Sequence, residues 1–414
     1  MMMEKNQPAV DPTPESGNSS PLRAWLAVGS VTIGAFAFVT TEFLPVGLLP
    51  QVARDLGVMP GTGGLMVTVP GVIAAISAPG MMLGAGRIDR RHILLVLSVL
   101  LLASNLISAF APSFAIMLLG RAILGASLGG FWTLALAAAG RLVRPHDAAR
   151  ATAMILTGVT CATVIGVPLG TFISSLASWR ASFMVTGALV AVALAAQALL
   201  VPSLPSTAAL RFADLVALWR RAHARRSLLM VALIFGAHFS SYTYIAPFLL
   251  QNASFSVSSI TWLLLGFGFV GFVSNAAFSA LVTRNLKASL GTVVSLLMFA
   301  LLTMPLFRHS EPAVTVTVLL WGVAFGAIPL CISVWMQLAT PDLPEAGSAL
   351  FVGIIQVAIA VGSLVGGTVV DRVGIPADFW FGSALAFLGL AAIAGFGAVG
   401  KTLAHAGTGQ VRPE

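Results

Sequence analysis

The sequence predicts an all-α membrane protein with twelve transmembrane helices in two pseudo-symmetric six-helix halves. Three observations carry that prediction. Hydrophobic residues make up 58% of the 414 positions and charged residues only 9%, at a mean hydropathy of +0.97, whereas soluble domains are about one-quarter charged. The apolar residues fall in continuous runs close to the ~20 residues a helix needs to cross a bilayer, not in the ~10-residue alternating segments of a membrane barrel. The chain also repeats itself at a shift of about 200 residues, which points to paired structural units.

Taken in order along the chain, a window of ~19 residues places spans at 24–46, 63–85, 92–111, 114–138, 150–172 and 182–201. A polar, Arg-rich break follows, and then spans at 228–250, 260–282, 289–307, 312–338, 346–370 and 378–399. The expected organisation is a tail at 1–23, a first half at 24–201, a linker at 202–227, a second half at 228–399 and a tail at 400–414. Seventeen Lys and Arg fall in segments on the side of the termini, four fall on the other side, and Arg121 lies within a span. By the positive-inside rule both termini are cytoplasmic. The net charge of +8 therefore reads as topology and contact with lipid headgroups, not as nucleic-acid binding.

The repeat is visible residue by residue. Gly34-Ala35, Thr41, Pro45 and Leu48 recur as Gly236-Ala237, Thr243, Pro247 and Leu250. Gly125 and Gly129 recur as Gly322 and Gly326, and Gly166 and Gly170 as Gly362 and Gly366. Small residues four apart let membrane helices approach closely, and seams of this kind can also slide or hinge.

Ionisable groups at membrane depth are costly and mark functional positions. Glu42 is the one acidic residue well inside an apolar run, four residues or about 6 Å from the expected outer end of span 1. Arg121 lies seven residues, about 10 Å, inside span 4. Similar depths predict one shared cavity in which Glu42 exchanges a proton and Arg121 is its counter-ion while the two are close. His238 in span 7 either relays a proton or hydrogen-bonds a polar substrate. Tyr242 lies one turn beyond it, and Tyr244 stands at the repeat position of Glu42. Phe131 and Trp132, on the Arg121 helix, are candidates for stacking on a planar ligand or for packing. Phe38, Thr41, Asn275 and Gln356 complete the expected cavity set, and Asn105 is a further polar residue within a span. Cys161 and Cys331 both lie in apolar runs, so neither a disulfide nor a thiolate metal site is expected. With no nucleotide-binding loop and no metal-ligand spacing, the chain is expected to need no cofactor and to be no enzyme.

These motifs resemble those of the major facilitator superfamily, specifically the twelve-span drug:proton antiporter group. Thr41-Glu42-Phe43-Leu44-Pro45-Val46-Gly47-Leu48-Leu49-Pro50, with Asp55-Leu56-Gly57, is similar to the first span of the purine-ribonucleoside and arabinose-type sugar efflux permeases. Gly120-Arg121-Ala122-Ile123-Leu124-Gly125, continuing to Trp132, resembles the nucleoside branch most closely. Gly158, Gly166, Pro168 and Gly170 match the antiporter motif of span 5, with Val167 where a glycine is common. Asp89-Arg90-Arg91 match the loop motif between spans 2 and 3, with Ala85 in place of its first glycine, and Asp371-Arg372-Val373-Gly374 repeats that pattern at the far end of span 11. The resemblance implies a monomeric, proton-coupled exporter in a bacterial inner membrane, with Arg121 taking part in coupling and the two loop and span motifs gating. It favours purine ribonucleosides as substrate, with sugars, phenicol-like drugs and an uncoupled facilitator as alternatives.

Overall fold

The computed structural model describes residues 21–84, 88–204 and 212–396, apart from a few side chains, Trp132 among them. Residues 1–20 and 400–414 of the expected tails, and Ala85, lie outside the described residues. Among those described, twelve helices are long and apolar enough to cross a membrane, and no strand occurs. Spans 1–6 are Pro21–Asp55, Pro60–Ala78, Arg90–Ala109, Phe114–Phe131, Ala148–Leu176 and Trp179–Leu200. Spans 7–12 are Ala222–Gln251, Val257–Arg284, Leu286–Thr303, Glu311–Ala339, Ala346–Arg372 and Ile375–Gly395. The start of span 1 and the end of span 12 share one end of the bundle, here the terminal end; the opposite end is the distal end.

Span 1 is the largest departure from the predicted boundaries. It runs nine residues past position 46, through Pro45 and Pro50. Each proline removes the amide that would bond to the carbonyl four residues earlier, so a continuous helix leaves the Thr41 carbonyl without its donor. Arg121 supplies one: Nη1 donates to Thr41 O at 2.7 Å. Its Nε donates at 2.7 Å to Met66 O, the carbonyl that Pro70 leaves open in span 2. Glu42 therefore lies thirteen residues from the helix end, about 20 Å in at 1.5 Å per residue, and not 6 Å.

The repeated glycines form the seams between helices. A Cβ on Gly158, Gly166 or Gly170 would collide with Thr32, Thr40 or Leu44 of span 1, and one on Gly125 or Gly129 with span 2. In the second half the same relation holds between Gly322 or Gly326 and span 8, and between Gly362 or Gly366 and span 7. Span 5 also contains a π-helical turn, Ala162–Gly166, immediately ahead of Pro168. The proline cannot complete the regular bond to residue 164, and the widened turn absorbs this.

Candidate functional site: a cavity between the halves

A cavity of about 510 Å³ lies between the two halves, within the ordinary range for small-molecule sites. Its wall descends along Leu156, Asn275, Ser333 and Phe351 towards the terminal end, and its roof carries Val39, Glu42, Gln356 and His238. The lining is mostly apolar and strongly aromatic, with Phe43, Phe235, Phe239, Tyr242, Phe267 and Phe325 around the polar groups.

Of the expected site residues, Glu42, His238, Tyr242, Asn275 and Gln356 line this cavity. Gln356 Nε2 of span 11 donates to Glu42 Oε1 of span 1 at 3.3 Å, a hydrogen bond that crosses between the halves. His238 is fully buried; its Nδ1 accepts from Trp321 Nε1 at 3.0 Å, and the ring stacks on Phe325 and Tyr242. An accepting Nδ1 fixes the neutral tautomer that carries its proton on Nε2, and Nε2 has no partner among the described residues. Gln356 Oε1 is likewise unpaired. The site thus presents a free donor at His238 and a free acceptor at Gln356 between aromatic faces.

Other expected residues lie elsewhere. Arg121 is fully buried, but it is absent from the cavity lining, and it reaches Glu42 through the backbone: Nη2 donates to the Glu42 carbonyl at 2.8 Å. The ion pairs found among the described residues do not include one between the two side chains. The prolines explain this, since the guanidinium is occupied by carbonyls that kinked helices leave open. Phe38 and Phe131 stack on each other at 4.0 Å within the first half, and Thr41 Oγ1 accepts from Asn105 Nδ2 at 3.0 Å. Val39, Glu42 and Phe43 form the i, i+3, i+4 stripe that meets the cavity, whereas Phe38 and Thr41 belong to the stripe beside it. The Trp132 side chain lies outside the described residues.

Tyr244 stands at the distal closure. Span 7 breaks at Thr243 and Tyr244, just ahead of Pro247, and the tyrosine ring enters a notch walled by Gly61, Gly64 and Gly367. Its hydroxyl donates to Ser363 O at 2.7 Å and lies 3.2 Å from Gly61 O of the other half. Beside it, Asp371 at the end of span 11 accepts from Gly61 N at 2.7 Å, Thr62 N at 2.9 Å and Thr62 Oγ1 at 3.0 Å. The repeated motif that contains Asp371 is thus a latch between the halves. Its counterpart near the terminal end is engaged within one half. Asp89 caps span 3 through Arg91 N at 2.8 Å and also accepts from Leu204 N at 2.8 Å and from the Ser203 hydroxyl. Partial burial pushes this carboxyl up, but the three hydrogen bonds outweigh it and hold Asp89 below the usual carboxylate range. Arg91 Nη2 donates to Ala198 O at 2.7 Å, and the Arg90 amide to Leu204 O at 3.0 Å.

The phenylalanines of the aromatic wall, and the contact that Asp371 makes with the other half, escaped the sequence reading. The chain has 25 phenylalanines, so nothing in the sequence singles out these five. Asp371 does carry a signal, its repeat of the loop motif.

Two helical bundles around a central cavity that is closed at one end define a multi-pass membrane transporter. The sequence comparisons agree, and the chain belongs to the Major Facilitator Superfamily, whose family model matches residues 31–353. It is 33% identical over 351 residues to the purine ribonucleoside efflux pump NepI of Salmonella paratyphi B, covering 85% of this chain and 88% of that protein. It is 31% identical over 364 residues to the pump of the same name from Shigella sonnei, covering 88% and 92%. Among solved structures it resembles the human organic anion transporter MFSD10 (TM-score 0.65, 19% identity, 91% of this chain and 100% of that one). It also resembles a bacterial homologue of the human lysosomal transporter Spinster in an inward-facing, unoccupied conformation (TM-score 0.67, 16% identity, 91% and 95%).

Proposed function

We propose that the protein exports purine ribonucleosides or their analogues across a bacterial inner membrane in exchange for protons, by alternating access. The observation that carries this reading is the Glu42–Gln356 bond in the roof of the cavity. It supports the reading because Glu42 lines the cavity at a point where the two halves touch. With both termini cytoplasmic, the cavity opens inward and the Tyr244–Asp371 closure faces outward. The domain limits follow the sequence reading, with halves at 24–201 and 228–399 joined by the 202–227 linker, in a monomer. Purines suit the cavity because their flat rings stack on aromatic faces, and the free His238 Nε2–H and Gln356 Oε1 match the acceptors and donors of a nucleoside. The NepI relatives are named for the same substrate class.

The cycle follows from these contacts. A proton on Glu42 neutralises the roof. Substrate entering from the cytoplasm displaces that proton, and the carboxylate is then offset by the Arg121 guanidinium at the neighbouring carbonyl. Rocking the halves apart at the distal end breaks the Glu42–Gln356 bond, wets the carboxylate and reloads it from outside. A membrane potential supplies about 2.3 kcal/mol per charge per 100 mV, which supports a gradient of tens-fold for a neutral solute.

Proteoliposomes test this reading directly. An imposed proton gradient is expected to drive a labelled purine ribonucleoside uphill, and Glu42→Gln is expected to abolish uphill flux while leaving downhill exchange. Uphill flux that persists in Glu42→Gln refutes the assignment of the proton. Transport of an arabinose-type sugar or a phenicol in place of the nucleoside refutes the substrate, and equilibration without accumulation marks a facilitator.

A further inference from the structure

Asp378, in the first turn of span 12, is a fully buried carboxyl, and neither of its oxygens has a hydrogen-bond partner among the described residues. It does not line the cavity, so the cycle above leaves it unused. An isolated carboxylate removed from water costs far more than any fold element returns, so such a group is kept neutral or paired.

Its surroundings are arranged for the neutral form. Three hydroxyls lie nearby, and each is placed against a main-chain carbonyl: Ser240 Oγ on Ala237 O, Ser241 Oγ on Asp378's own carbonyl, and Tyr244 on Ser363 O. An acceptor lies on the same side of Gly366 as the carboxyl. Asp378 Oδ1 and the Ser240 carbonyl oxygen both lie within 3.0 Å of the point where a Gly366 side chain would begin. That carbonyl is short of a donor, because the Tyr244 amide, which a continuing helix would aim at Ser240 O, bonds to Ser241 O at 3.1 Å.

The repeat supplies an independent comparison. A shift of 196 residues that superposes Gly170 on Gly366 also superposes Ser182 on Asp378, and Phe183 on Phe379, both phenylalanines being fully buried. In the first half the Ser182 hydroxyl donates to Gly170 O at 2.8 Å. A carboxyl does the equivalent in the second half only with its proton on.

We propose that Asp378 is a second proton-binding site, which locks the distal gate from behind Tyr244 and is separate from the proton exchanged at Glu42. Protonated, it has one O–H to donate, to the Ser240 carbonyl of span 7 or, as Ser182 does in the first half, to the Gly366 carbonyl of span 11, and leaves the Tyr244 hydroxyl shared between Ser363 O and Gly61 O. Ionised, it needs donors, and the hydroxyls of Tyr244, Ser240 and Ser241 are the ones within reach. Turning Tyr244 towards it undoes the bridge between the halves. The proton is thus bound in the distal-closed form and released when that end opens, so low pH favours closure and rising pH favours opening. Apart from Tyr244, the titratable or charged groups on the helices packed against this corner are Asp371 and Arg372 at the end of span 11, His238 and Tyr242 further along span 7, and His223, Arg225 and Arg226 at the terminal end of span 7. Lys287 of span 9 lies at the opposite end, bonded to the Phe396 carbonyl.

The inference rests on the alternating-access reading above, and its test separates the two. Spin labels at Met59→Cys and Val373→Cys, both exposed at the distal end, report the gate in the full chain in nanodiscs, with Cys161→Ser removing the exposed native thiol. In the Glu42→Gln background, where the coupling carboxyl is gone, the open-to-closed ratio is expected to rise with pH by up to about tenfold per pH unit, the limit for one linked proton. Adding Asp378→Asn is expected to flatten that response and hold the gate closed. A gate that ignores pH in Glu42→Gln, or one that still responds after Asp378→Asn, overturns the proposal, whatever the flux assay says of Glu42. Should Asp378→Asn fail to fold, Asp378→Glu decides: a displaced midpoint supports the site, and an unmoved one overturns it.

Discussion

Removing the Asp371 carboxylate should tip the conformational balance of the protein by a calculable amount. The carboxylate takes three hydrogen bonds from the opposite half, two from amides and one from the Thr62 hydroxyl. Hydrogen bonds to a charged group contribute about 1.5–3 kcal/mol each when buried. These are only part-buried, and in Asp371→Ala water reaches the freed amides of Gly61 and Thr62, so about 2 kcal/mol is a sound figure for the set. At 1.4 kcal/mol per factor of ten, the distal-open fraction should rise about 30-fold. Val39 lines the cavity roof, and a Val39→Cys variant carrying Cys161→Ser is reached by a membrane-impermeant maleimide from outside only when the distal end opens. The labelling rate in intact cells should therefore increase about 30-fold in Asp371→Ala and about threefold in Thr62→Ala, which loses one of the three bonds. An unchanged rate in Asp371→Ala, in protein that still transports, would mean that the latch holds nothing, and the gate would have to be assigned to Tyr244 and its glycine notch alone.

Three further outcomes follow from the same geometry. Arg121→Met strands the carbonyls of Thr41 and Met66 at about 1–3 kcal/mol each, so unfolding in detergent should shift strongly; Pro45→Ala, which restores an amide to Thr41 O, should recover about 1 kcal/mol of that loss in a double-mutant cycle. His238→Asn keeps an acceptor for Trp321 but removes the Nε2 donor and the stacked ring, so nucleoside affinity by calorimetry should fall about tenfold and stability should drop with the lost packing, while His238→Gln, which retains a donor at that reach, should lose less affinity. Gly326→Ala, whose Cβ would sit 2.1 Å from Gly271 O, should lower stability by about 1–3 kcal/mol, whereas Gly353→Ala, with nothing within 4 Å, should leave it unchanged or slightly raised.

The twelve spans and the glycine seams were legible because both are local properties: a hydropathy window reports apolar length, and a repeated Gly-xxx-Gly reports where backbones touch. Glu42, His238, Tyr242, Asn275 and Gln356 were legible as site candidates for a related reason, since a polar side chain inside an apolar run has few places to go other than a cavity. Arg121 shows where that reasoning stops. Its partners are carbonyls whose need for a donor is written at Pro45 and Pro70, on two other spans, and only the packed fold brings those residues around one guanidinium. Tyr244 is the same lesson in the second half. It occupies the repeat position of Glu42, yet Pro247 and the break at Thr243 turn it out of the cavity and into the distal seal. Symmetry in the sequence therefore fixed the place of both residues but not their task. The two prolines kink corresponding helices. In the first half an arginine satisfies the freed carbonyl, so the helix continues and its carboxyl faces the cavity. The second half has Val318 at the position 197 residues from Arg121; span 7 breaks at Thr243, and the Tyr244 side chain that follows packs into the distal contact between the halves.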